Sequence, residues 1–557
     1  MEAAGTETER LGLALSGGGF RAAFFHVGIL ARLAELGVLP RIEVISTVSG
    51  GSIVGAAYYL RLRRLLNERS DAEITGEDYV RLVTEVDELL RDAVRQDIRG
   101  RLLANPLKNI QMLVSRKYSR SDRIGDLYDR YLYKKAWQDP RKRRSGNREE
   151  QIEMRELLIE PNGDRGFDPT AANPSRRAKA PVLLINATTL NTGHNWRFEA
   201  VRMGEPLPED SRREEIIEET DKNLRLDPGY FPRKDPQPGD PPDREPAVPS
   251  AREGFPLALA VAASACVPGA FHPLTISDMY WNGSDAVRVQ LVDGGVQDNQ
   301  GVQGLLDSGC TRLILSDASG QLKDENKAST WLPLSLSRSA SIATDRIRDE
   351  QLTYLPTERR KYALMHLRKG LDGVALAPGE GTDTPSAERD PEYDTAAFGV
   401  DATAQDALSK IRTDLDFFSD TEAGSLELDG YLMSVKELEL RGFGALGEAS
   451  LRPTTTPDWD FLAFTATIGS PDADYLRKLR AGSKKFLRLF SLRPALAWLL
   501  LAIVVAVVAA AAGGACLLAD ALDACWPEKV GGWLLLAFVA VFAWSNVTAW
   551  TARRYQS

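Results

Sequence analysis

Two short stretches carry residues able to do acyl-transfer chemistry. In "VISTVSGGSIVG", residues 44–55, a β-forming run breaks at Ser49 into Gly50 and Gly51 and resumes as an apolar, helix-like segment. A serine on a strand-to-helix turn has its hydroxyl held outward beside backbone N–H groups at a helix N-terminus, which serves both a nucleophile and the oxyanion it creates. The usual spacing is G-x-S-x-G, and here Thr47 stands where the first glycine belongs. The pentapeptide taken alone fits a helix N-cap equally well. The other stretch is "LVDGGVQDNQG", residues 291–301, in which Asp293 closes an apolar strand before Gly294 and Gly295. Such an aspartate can act as the base for a serine, or can be an ordinary turn residue.

A third element, "LSGGGFRAA" at 15–23, follows a strand with Gly17, Gly18 and Gly19. Successive glycines let a backbone approach an anion and point N–H groups at it. Neither the phosphate-loop nor the dinucleotide glycine spacing is present, so an oxyanion hole is the better fit. Arg21 is available to order this loop or to meet a lipid phosphate.

The four histidines, His26, His194, His272 and His366, bear on whether a third catalytic member exists. His26 falls on the first helix and reads as a core residue. His194, in "NTGHNWRF", is the best triad candidate, although a serine with an aspartate base needs no histidine. The four cysteines lack C-x-x-C spacing and do not cluster with histidines, so no metal site is expected, and no cofactor.

Together, "SGGGFRA", "STVSGGS" and "VDGG" resemble the patatin-like phospholipases, serine acyl hydrolases with a Ser-Asp dyad. The resemblance implies Ser49 as nucleophile, Asp293 as general base, and an oxyanion hole lined by Gly17, Gly18 and Gly19. Arg21 then occupies the family's basic position, with Gly50, Gly51, Gly294 and Gly295 supporting the turns. It spans roughly residues 10–60, 180–200 and 255–320. Thr47 departs from the family pattern, as does Ala22, where a glycine often follows the basic residue.

The elements that must position these residues are legible as pattern. Residues 11–16 read as a buried strand, 20–36 as a helix and 41–48 as the next strand, the opening of an α/β fold with a parallel sheet. Residues 289–295 and 311–319 read as further strands ending in polar residues, where α/β folds bind ligands. With the resemblance, the expected fold is a patatin-like three-layer α/β sandwich around a mostly parallel central sheet. The catalytic domain is assigned to 1–400, with helical insertions at about 61–179 and 200–254, and a helical extension over 401–476 packs back on it. Within the second insertion, 227–250 is too proline-rich for regular structure.

A basic segment at 477–493 precedes two uncharged apolar stretches, 495–518 and 530–552, each long enough to cross a bilayer. A transmembrane hairpin is therefore expected over 494–552, with the basic ends, both termini and the catalytic domain cytoplasmic. The N-terminus "MEAAGTETER" lacks the pattern of a secretory signal. Cys516 and Cys525 flank the turn of the hairpin, either as a disulfide or as small apolar residues. A net charge of −9 and a pI near 5.4 argue against nucleic acid as a partner. The expected protein is a membrane-anchored lipid acyl hydrolase with membrane phospholipids as substrate. Two alternatives are a signal-gated effector of the same chemistry, silent until an insertion moves off the site, and a non-catalytic membrane scaffold. Intact Ser49, Asp293 and the triple glycine weigh against the scaffold.

Overall fold

In the computed structural model the described residues run from 9 to 484, leaving out 97, 99–118, 138–150, 208–213, 216–218, 220, 222, 232–253, 320–321, 323–324, 358–359, 372–373, 377–382 and 386–394. The hairpin expected over 494–552 lies outside the described residues, as do most of the basic segment and most of the proline-rich stretch. Among the described residues no helix is long and apolar enough to cross a membrane.

The first two strands, β1 (Leu11–Leu15) and β2 (Val44–Val48), are buried along their whole length. They pair in parallel, and continuous apolar runs are what a sheet covered on both faces requires. The remaining strands of this sheet are β3 (Val182–Thr189), β4 (Asn195–Phe198), β5 (Arg202–Gly204), β6 (Gly229–Tyr230), β7 (Leu274–Asn282), β8 (Asp285–Asp293), β9 (Arg312–Asp317) and β10 (Lys361–His366). Their order is β10-β9-β1-β2-β3-β4-β5-β6, with β8 joined to β3 and β7 to β8. The pairs from β10 to β3 are parallel. Every pairing beyond β3 is antiparallel. The sheet is therefore mixed and not mostly parallel: hairpin-like connections of a few residues at β3–β4 and β7–β8 are too short for the crossover that a parallel pair needs.

Alternation along the central strands feeds two cores. Leu13, Leu15, Ile45 and Ile314 face one. Ala14, Val44, Leu313 and Leu315 face the other, as the two-residue period of a strand dictates. The larger core is covered by α1 (Gly19–Glu35), α2 (Gly50–Glu68), α3 (Gly76–Val94), α4 (Arg120–Tyr128) and α5 (Leu257–Ser264). The smaller is covered by α6 (Val302–Asp307) and the last turns of α7 (Leu332–Thr357), through Leu352 and Leu355. Helix α2 is a single helix whose buried face continues to Leu66. The helix α7 was not anticipated from the sequence.

Beyond residue 400 come α8 (Ala402–Ser409), α9 (Asp420–Leu440) and α10 (Ala473–Gly482). Helix α9 lies across α1, closely enough that a side chain at Gly28 would strike the Glu427 carbonyl and one at Gly430 the Phe25 carbonyl. Being enclosed, α9 must pair its buried carboxylates: Glu427 takes Arg91 from α3, Glu422 takes Arg412, Glu437 takes Lys369, and Asp429 accepts from Gln405 on α8.

Candidate active site

The register of β3 brings the two reacting groups together. Strand β2 runs along one edge of β3 and stops with Val48 opposite Asn186. Strand β8 takes over on that same edge, in the opposite direction, with Asp293 opposite Ala187; the other edge there is filled by β4. The ends of β2 and β8 thus abut, and Ser49 leaves one as Asp293 arrives on the other. Asn186 secures the junction by donating to Ser46 Oγ and to the Thr47 carbonyl, both at 3.0 Å.

Ser49 has φ 50° and ψ −113°, a conformation that a side-chain-bearing residue rarely adopts. Holding it costs about 1–3 kcal/mol, which the surroundings must offset. The Ser49 N–H donates to Ser264 Oγ at 2.9 Å, Ser52 and Ser264 share a hydrogen bond of 2.8 Å, and Ser52 donates to Thr47 Oγ1 at 3.0 Å. Thr47 donates in turn to the Leu184 carbonyl at 2.9 Å. Since the Ser52 and Thr47 protons are committed, Ser264 is the donor to Ser52 and stays an acceptor for Ser49. The N–H of Gly51 donates to the Ser16 carbonyl at 3.0 Å, and a side chain on Gly50 would strike the Gly19 carbonyl, so both glycines permit the elbow to press against the first loop.

Asp293 is buried. Its Oδ1 accepts the Gly295 N–H at 2.8 Å, and Oδ2 has no close hydrogen-bond partner. Burial raises its pKa to about 6, moderated by the Gly295 N–H and by the Ser49 hydroxyl, which lies against the carboxyl at longer range. No cation is among the causes. Tyr128 and Cys266, buried nearby, are pushed upward by burial and by the Asp293 charge, Cys266 to about 11, so both stay neutral where Asp293 titrates.

The three glycines of the first loop divide. Gly17 donates its N–H to the Asn299 carbonyl at 2.9 Å, so the expected set of three donors is reduced. Gly18 (φ 139°) and Gly19 (φ 60°) turn the chain into α1, and their N–H groups have no partner among the described residues. Arg21 does not face a ligand. It is buried, and it donates to the carbonyls of Ala318, Ser319, Ser409 and Ile411. Desolvation lowers its pKa to about 10, still far above neutrality. It therefore orders the loop by tying α1 to the end of β9 and to the extension after α8.

His26 and His194 are committed to other partners. His26 contacts Ser316 Oγ at 2.5 Å and the Ser16 carbonyl at 3.0 Å, and burial lowers its pKa to about 4. His194 has both ring nitrogens committed to carboxylates, Glu205 at 3.0 Å and Asp221 at 2.5 Å, and so is no triad member. Ser264, Ser52 and Asn299 escaped the sequence reading. Only a lone serine in an otherwise apolar helix hinted at the first, and nothing marked the others.

Comparison with protein families matches residues 13–306 of the 557 to the patatin-like phospholipases. The chain belongs to the patatin-like phospholipases. No curated protein matches the sequence. Among solved structures, human GIVD cytosolic phospholipase A2 is similar at 11% identity and a TM-score of 0.38, over 79% of this chain and 60% of that one. The same protein in complex with methyl γ-linolenyl fluorophosphonate gives 12% identity, a TM-score of 0.39 and coverage of 79% and 59%. This patatin-like chain thus spans about 60% of the length of the structures it resembles.

Proposed function

We propose that this protein hydrolyses fatty-acyl esters of membrane phospholipids through a Ser49 acyl-enzyme with Asp293 as base. The observation that carries the reading is the meeting of Ser49 and Asp293 on one edge of β3, with Asp293 buried and unaccompanied by a cation. Asp293 takes the hydroxyl proton as Ser49 Oγ attacks the ester carbonyl. In this reading the N–H groups of Gly18 and Gly19 receive the oxyanion, and Gly50 adds the N–H of the residue after the nucleophile. The proton on Asp293 passes to the departing lysolipid alkoxide. Water then attacks the acyl-serine, Asp293 accepts its proton, and the fatty acid leaves as Ser49 is reprotonated.

Membrane anchoring belongs to the same proposal. The basic run at 477–493 and the uncharged stretches at 495–518 and 530–552 support a bilayer hairpin with the catalytic domain on the cytoplasmic side. A tethered enzyme meets its lipid at high effective concentration.

A second reading, the same chemistry held in check, is favoured by burial: Ser49 is 7% and Asp293 6% exposed. Full-length protein and its Ser49→Ala variant in mixed phospholipid vesicles, with fatty-acid and lysolipid release followed by mass spectrometry, test both. Release by the wild type alone supports the hydrolase. Wild-type turnover of a short soluble ester with none of vesicle lipid favours the restrained form, and background release in every case overturns the reading.

A further inference from the structure

We infer that the cavity between α7 and the end of β9 is a headgroup site for a phosphate-linked polyol, an inference that rests on the hydrolase reading above. The cavity holds about 510 Å³, within the range of small-molecule sites. It opens beside the reacting groups because Asn299 is a wall of both. The Asn299 carbonyl holds the Gly17 N–H at 2.9 Å, and its Oδ1 occupies the space in front of Gly17 and Gly295. Ser319, another wall residue, is fixed through its carbonyl by Arg21.

The chemistry of the lining selects the ligand. Helix α7 presents Ser337, Ser341, Thr344 and Arg348 to the cavity, three or four residues apart and so along one face. Ser341 donates to the Ser337 carbonyl at 3.0 Å and Thr344 to the Ala340 carbonyl at 3.1 Å. Their protons are spent within the helix, and their lone pairs are left to accept from a ligand's hydroxyls. Facing them is the amide of Gln300. Leu322 and Leu334 are the only apolar side chains among the described lining residues, too few for an acyl chain. Among the described lining residues no aromatic ring is there to face a choline ammonium.

Cationic donors are present for the phosphate. Arg348 is 6% exposed; its Nε and Nη2 donate to Asp349 at 3.2 and 2.8 Å, while its Nη1 makes no well-formed hydrogen bond, only an ion pair with Asp345 at 3.2 Å. Arg338 reaches Glu325 at 3.1 Å across the cavity. With Asp345, Asp349 and Glu325 set against the two arginines the site has no cationic excess, which suits a polyol phosphate better than a bare anion.

The test uses full-length protein and vesicles containing phosphatidylglycerol, phosphatidylserine and phosphatidylcholine with identical acyl chains in one membrane, so that surface binding is common to all. Lysolipid products are counted by headgroup. The expected result is release of lysophosphatidylglycerol at least fivefold above both others, falling toward parity in Ser341→Leu, which puts an apolar branch into the cavity wall. Paired Ser337→Ala and Ser341→Ala substitutions remove hydroxyls without adding bulk and are expected to act the same way, should the leucine variant not fold. Each ratio is internal to a sample, so a general loss of rate does not imitate the effect. Equal release of the glycerol and serine lipids, or a ratio untouched by both variants, overturns the inference. Should no vesicle lipid be cleaved, turnover of the short soluble ester decides the hydrolase reading separately. Binding of glycerophosphoglycerol against glycerophosphocholine to Ser49→Ala protein, followed by ligand-observed NMR, then decides the site: selective binding lost in the cavity variants upholds it, and equal binding sinks it.

Discussion

The methyl group of Thr47 fills the space in front of Gly55: a Cβ at Gly55 would stand 2.6 Å from Thr47 Cγ2. The β-branched residue at the elbow is thus accommodated by a glycine in the second turn of the helix that follows. The Thr47 hydroxyl has meanwhile become part of the hydrogen-bonded chain behind Ser49.

This pairing predicts a double-mutant cycle. Gly55→Ala forces a side chain into that methyl and is expected to cost about 1–3 kcal/mol, the range for overpacked cores. Thr47→Ser keeps the hydroxyl and removes the methyl, after which the nearest remaining atom, Leu15 Cδ1, is 3.5 Å from the new Cβ. The double variant should recover wild-type stability or exceed it, since alanine is the better helix former by about 1 kcal/mol. Urea unfolding of the four proteins checks this; additive losses would disprove the pairing.

Asp293 sets the pH response. With its pKa at about 6, the base is ionised above and protonated below, so kcat/KM should fall as pH drops through roughly that value. The folded carboxyl holds its proton more tightly than the ordinary value of 3.8, so between those values the folded state binds more protons than the unfolded. Its contribution to stability is therefore lost as pH rises through this window. Asp293→Asn should abolish turnover yet stabilise the fold at pH 8, by about 1–3 kcal/mol, with the gain vanishing below pH 4. Calorimetry across pH would show it. An Asp293→Asn protein less stable than wild type at pH 8 would contradict the unaccompanied, buried carboxyl.

Ser264 holds the elbow without touching the reacting atoms. Ser264→Ala leaves the Ser49 N–H without its acceptor and should lower kcat about tenfold to a hundredfold while KM stays near its original value, as expected when a nucleophile is misplaced. Ser264→Thr, which retains the hydroxyl, should restore much of the rate. Equal losses in both would point to a packing role only.

Arg21 is expected to matter for folding. Arg21→Met leaves buried carbonyls from two segments unpaired and should destabilise by about 3 kcal/mol or more. Arg21→Lys should restore little, because one ammonium lacks the planar fork that reaches both segments. Thermal denaturation checks both variants; an Arg21→Lys protein as stable as the wild type would contradict this role.

What the sequence determined was local. Runs such as "LGLAL" and "VISTV" must be buried strands, the glycines after each mark turns, and Ser49 and Asp293 sit where strands end, because propensity and glycine geometry act over a few residues. Strand direction was not legible: a two-residue period looks the same whichever way a neighbour runs, so the antiparallel half of the sheet surfaced only in the fold. The same holds for partners distant in sequence. That Asp293 shares an edge of β3 with Ser49, that Gly17 gives its N–H to Asn299, and that Arg21 binds carbonyls near 318 and 410 all depend on packing between segments hundreds of residues apart. The residue types supplied the chemistry. Tertiary structure decided which groups face one another and which are already spent.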